Sequence, residues 1–96
     1  MNKKIKNDYL LKGMILDYKK SPKKNILDEI IGIKFKQIRI DKNITVEAVV
    51  QDNKGFFNTV YDLYKFEKGK KVHASMMVCL SKYYKYDTTI LFEQLN

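Results

Sequence analysis

The sequence predicts an all-α fold of five short helices preceded by a short N-terminal extension. Three observations predict it. Apolar residues recur at offsets of three and four from Leu27 to Ile38, the signature of one face of a helix. Cap and turn signals at Asn43 and Thr45, at Asp52 to Gly55, at Gly69 and at Asp87 and Thr88 cut the rest into helix-length pieces. The one proline, Pro22, lies in Lys19-Lys20-Ser21-Pro22-Lys23-Lys24-Asn25 and separates residues 1–25 from a domain spanning 26–96.

Within the extension, Asp8 to Tyr18 reads as a short helix capped by Asn7 or Asp8. Its face, made of Tyr9, Leu10, Gly13, Met14 and Asp17, is broad and mixed, and Gly13 equally suits a bend between two strands. After the joint, Leu27, Ile30, Ile31, Phe35 and Ile38 define the first helix of the domain, with Asp28 and Glu29 near its start and Lys42 near its end, as the helix dipole prefers. Asn43 suits a left-handed stop and Thr45 the cap of a second helix, Val46 to Gln51, that turns Val49 and Val50 inward. A third helix starts from Asn58 or Thr59, runs to Phe66 or Glu67, and is expected to bury Val60, Leu63 and Phe66 before Gly69 ends it. The fourth, Ala74 to Tyr84, carries Met77, Leu80 and Tyr84 on one stripe with Met76 and Tyr83 beside it. The fifth, Thr88 to Leu95, is capped by Asp87 or Thr88 and is expected to bury Ile90, Leu91 and Leu95.

With 96 residues, one hydrophobic core is all the chain can build. No apolar run reaches the roughly eighteen residues of a membrane span, and the segment after the N-terminal lysines is broken by Lys12 and Gly13, so neither a membrane anchor nor a signal peptide is expected. Cys79 and His73 are the only residues of their kinds, which leaves no intramolecular disulfide, no Cys/His metal site and no cofactor to expect. Six residues apart on one helix, they do not share a face, so Cys79 reads as a small buried or half-buried apolar group rather than a nucleophile. A non-enzymatic protein of the reducing cytoplasm fits best. The net charge of +8 is concentrated: eight lysines against Asp8 and Asp17 give residues 1–25 a charge of +6. Such a segment favours polyanions.

The order of these helices and the residues within them resemble the lambda-repressor-like (Cro/XRE-type) helix-turn-helix DNA-binding domain over about residues 30–94. The family's opening pattern is matched by Ile31-Gly32, Phe35 and Ile38-Arg39. Its Leu-Thr-Gln-Glu-x-Leu-Ala block corresponds to Ile44-Thr45-Val46-Glu47-Ala48-Val49-Val50, and its third-helix signature to Thr59 through Lys70. The closing apolar pattern falls on Met77, Leu80, Ser81, Tyr84, Tyr86, Ile90 and Leu91. The resemblance implies an ion pair between Arg39 and Glu67 that clamps the first helix to the end of the third.

It also implies a transcriptional regulator, a repressor, that binds double-stranded DNA as a homodimer with its third helix in the major groove. The matched contact positions are Thr45, Val46, Lys54, Thr59, Val60, Tyr61, Asp62, Tyr64, Lys65 and Lys68. Thr45 and Thr59 suit phosphate contacts at helix N-termini, and Lys54, Lys65 and Lys68 add charge. Val46 stands where the family usually has a base-reading glutamine and offers at most a methyl contact, while Asp62 can accept from cytosine. Between Val50 and Thr59 the chain is longer than the family's usual turn, with Phe56-Phe57 in place of a Gly-apolar pair. Ser21-Pro22-Lys23-Lys24 resembles elements that lie in A·T-rich minor grooves, so Lys19, Lys20, Lys23 and Lys24 are expected to form a basic arm. The exposed tyrosines and Asp62 also suit a helix-turn-helix fold that serves as a protein-interaction or inhibitor module of a phage or mobile element.

Overall fold

The computed structural model describes residues 3–96, with side chains from Tyr9 onward. It is helical, with no strand among the described residues. Those residues form six helices rather than five: α1 (Lys3–Lys20), α2 (Lys24–Asp41), α3 (Val46–Asp52), α4 (Val60–Glu67), α5 (Ala74–Tyr84) and α6 (Thr88–Leu95).

The additional helix is the stretch read as an extension. Helix α1 is already under way at Lys3, so Asn7 and Asp8 lie inside it and do not cap it, and Gly13 continues it without a bend. It closes at Ser21, whose N–H donates to the Asp17 carbonyl at 3.1 Å, because the residue before a proline resists helical dihedrals. Its apolar residues fall on both sides. Leu11 is buried and Met14, Ile15 and Tyr18 pack against the core, while Tyr9, Leu10 and Leu16 face outward. The inward set docks on α2 and α6.

The remaining boundaries follow local chemistry. Asn43 takes the left-handed conformation (φ 56°), and the Asn43 and Ile44 N–H groups donate to the carbonyls of Ile40 and Arg39, closing the end of α2. Gly69 (φ 75°) closes α4 in the same way, its N–H and that of Lys70 donating to Phe66 and Lys65. Helix α3 starts at Thr45, whose hydroxyl oxygen accepts from the Ala48 N–H at 3.1 Å. Helix α4 starts at Thr59 with a reciprocal capping box: the Thr59 hydroxyl oxygen accepts from the Asp62 N–H, and the Asp62 carboxylate accepts from the Thr59 N–H. Asp87 caps α6 through the Thr89 N–H and hydroxyl, and those bonds hold its carboxyl below the usual range.

The core gathers Ile30, Ile31, Phe35 and Ile38 of α2, Val49 and Val50 of α3, Leu63 and Phe66 of α4, Leu80 and Tyr84 of α5, and Leu91 and Leu95 of α6. Phe66 is edge-on to both Phe35 (5.6 Å between ring centres) and Phe57 (6.0 Å), an arrangement aromatic rings favour. Two expected core residues lie outside it. Val60 is 37% and Ile90 52% exposed. Helix α4 buries Leu63, Phe66 and Glu67, and Val60, at its first position, projects past the edge of that stripe; α6 buries Leu91 and Leu95, a phase that turns Ile90 out by one residue.

Candidate functional site

The join between α2 and α4 orients everything that follows. Gly32 sits in α2 directly against the end of α4: a Cβ there would stand 2.6 Å from the Phe66 carbonyl oxygen and 2.7 Å from that of Glu67. Gly69 faces Glu29 as closely, with 2.6 Å between its ideal Cβ and the Glu29 Cα. One turn further along α2 from Phe35, the buried Arg39 and Glu67 meet. The Arg39 Nε donates to Glu67 Oε2 at 2.7 Å and Nη2 to Oε1 at 3.1 Å, a bidentate pair, while Nη1 reaches the Ile44 carbonyl at 3.2 Å. The bonds to Glu67 raise the Arg39 pKa against the opposing effect of burial, so the guanidinium stays charged. Through Ile44 the same side chain also steadies the entry to α3.

Helices α3 and α4 are joined by residues 53–59, and this long turn is anchored at several points. The Asn53 side-chain NH2 donates to the Val49 carbonyl at 2.8 Å. Its carbonyl oxygen accepts from the Cys79 thiol at 3.1 Å, and burial pushes that thiol's pKa up, keeping it a donor. The Tyr83 hydroxyl donates to Asp52 at 2.6 Å, and mainly through that bond its pKa is pushed up to about 12. Phe57 is fully buried, whereas its neighbour Phe56 is half exposed. Asp52 and Asn53 therefore tie the end of α3 to α5, while Phe57 packs the turn against Phe66 of α4.

Tyr61, Tyr64, Lys65 and Lys68, at helical offsets of three, four and seven, share one face of α4 that the fold leaves uncovered. Tyr61 is 63% exposed and Tyr64 44%. The Lys65 ammonium lies 4.4 Å from the centre of the Tyr61 ring, a cation–π contact that orients the lysine before any ligand arrives. Val60 borders this face, and Lys54 is exposed in the turn before it. Thr45 and Thr59 are exposed at the two helix starts; each uses its hydroxyl oxygen as an acceptor and keeps the hydroxyl proton available to a phosphate oxygen.

Two expected contact residues and the expected basic arm stand differently. Val46 is 7% exposed and belongs to the core, so it offers a base nothing. The Asp62 carboxylate is engaged by the N–H groups of Asn58 and Thr59, at 3.0 and 3.2 Å, and claims those N–H groups at the start of α4, leaving the Thr59 hydroxyl proton as the donor for a phosphate there. The basic arm is no free arm: Lys19 and Lys20 form the last turn of α1, and Lys23 and Lys24 lead directly into α2. All four are exposed, but they lie at the N-terminal end of α2, whereas Thr45 follows its C-terminal end. A helix of this length separates the two by roughly 27 Å. Lys3, Lys4 and Lys6 have side chains outside the described residues.

The spacing of Tyr61 and Lys65 was a readable signal of a helical cation–π pair. No local signal could have indicated that Asn53, Asp52 and Phe57 anchor the turn, because their partners come from α4 and α5. Among the described residues no three His, Cys, Asp or Glu side chains cluster to hold a metal, and no helix is long and apolar enough to cross a membrane. Comparison with protein-family models, curated proteins and solved structures finds no significant match.

Proposed function

We propose that this chain is a DNA-binding transcriptional regulator of the lambda-repressor-like helix-turn-helix type, acting as a repressor and a homodimer in the cytoplasm. The observation that carries the reading is the uncovered face of α4, where Lys65 is held over Tyr61 with Tyr64 and Lys68 beside them. In the major groove, this face presents a lysine able to reach guanine O6 and N7 and two aromatic edges suited to thymine methyl groups. Thr45 and Thr59 donate to phosphates on either side, Lys54 adds charge, and the exposed Lys19, Lys20, Lys23 and Lys24 supply a second, distant phosphate contact.

A second reading has its own observation. With the start of α4 occupied by Asp62 and Val46 withdrawn into the core, the remaining exposed surface around α4 is rich in Phe56, Val60, Tyr61 and Tyr64, which suits a protein partner. One experiment separates the two: selection of the full chain against a random duplex library, with salt titration of the recovered sites. Enrichment of a motif whose affinity falls steeply with salt supports the regulator. Uniform weak binding, lost when Lys19, Lys20, Lys23 and Lys24 are changed to glutamine, rejects it and supports the interaction module.

A further inference from the structure

A groove of about 490 Å³ runs along α1 where it meets α2 and α6, and it shares no residue with the exposed face of α4. Its apolar lining is Leu11 and Ile15 on the inner side of α1 with the exposed Leu16 at the outer edge, and its polar rim is Lys12, Lys19, Lys34 and Gln94. No carboxylate lines it. None of the three lysines has an ion-pair partner among the described residues; Lys34 is instead steadied by the Tyr86 ring, 5.7 Å from its ammonium.

Lysine stems extend an apolar floor while their ammonium groups stay in water, so the groove offers one long hydrophobic track under several positive charges. Its volume lies within the roughly 300–1,000 Å³ of small-molecule sites. The geometry points to a binding site for a single-chain anionic amphiphile, a long-chain carboxylate, whose tail lies along Ile15 and Leu16 above the buried Leu11 and whose head is held by Lys12, Lys19 and Lys34. A nucleic-acid backbone matches the charge but has no use for the apolar track. A single chain can enter a groove bounded on its far side by Lys34 and Gln94, whereas a bilayer surface meets only its rim. Because the ligand touches α1 and α2 together, its binding fastens α1, of whose described residues only Leu11 is buried, to the rest of the domain.

The test is calorimetric titration of the full chain with dodecanoate below its micelle concentration, beside acetate and dodecyltrimethylammonium. One-to-one binding of dodecanoate, at least tenfold tighter than either control and accompanied by a rise in melting temperature, is the expected result. A chain with Lys12, Lys19 and Lys34 all changed to glutamine keeps its helical circular dichroism and loses at least tenfold in affinity. Equal binding of acetate means that surface charge alone is at work and overturns the site. Equal binding of dodecyltrimethylammonium, saturation with many molecules per chain, or unchanged affinity in the triple variant overturns it too. None of these outcomes depends on whether the chain binds DNA.

Discussion

Two glycines stand inside the two longest helices of this protein, and their surroundings are opposite. Around Gly13 of α1 there is open space: an added Cβ meets no atom within 4 Å. Around Gly32 of α2 there is none, because two carbonyl oxygens from the end of α4 occupy the place a Cβ would take. Both residues weaken their helix by the same intrinsic amount. Only Gly32 gains a close helix contact in return. The inward side of α1 is, among the described residues, made of Leu11, Met14, Ile15 and Tyr18, whereas the α2–α4 contact has a specific approach distance reinforced by a bidentate ion pair.

Four substitutions sharpen or break that contrast. The largest effect is expected from Glu67→Ala, which leaves the Arg39 guanidinium buried without its carboxylate and costs about 3–5 kcal/mol, read as a fall in the denaturant midpoint. A loss under 1 kcal/mol would mean that the pair does not hold α2 to α4. Next comes Gly32→Ala: the added methyl group meets backbone, which cannot rotate away, and destabilisation of ~1–3 kcal/mol or more follows in chemical denaturation. Thr59→Ala removes one half of the α4 capping box and costs about 1 kcal/mol, with its thermal shift close to that of Asp62→Ala if the two residues act as a unit. Gly13→Ala gives the smallest change and the opposite sign, a gain of roughly 0.5–1 kcal/mol visible as a higher melting temperature. A loss at Gly13 would show that α1 is packed on its outer side as well.

The same contrast explains how much of the molecule was legible in the sequence. Asn43, Thr45, Thr59 and Gly69 act on backbone groups a few residues away, so helix boundaries could be read from their neighbours. The Arg39–Glu67 pair was suggested by a family resemblance, since nothing local joins residues so far apart. Helix α1 was partly misread because its apolar residues are divided between an inner set and an outer set, and periodicity detects only a helix with one greasy side. The candidate site was the least legible part. Val46 had the right position for a groove contact, but burial under the core decides its role. Asp62 had the right side chain to read a base, but a helix start with free N–H groups claims it first.

The distance along the chain between Arg39 and Glu67 also has a temporal consequence. Capping contacts span three residues and can form as each helix forms, on the microsecond scale, whereas this clamp joins groups 28 positions apart and needs α2 and α4 already in register. A contact that closes late contributes little to the rate of folding and much to the rate of escape. Glu67→Ala is therefore expected to speed unfolding more than it slows folding, a difference read from the two limbs of the denaturant dependence of the rates.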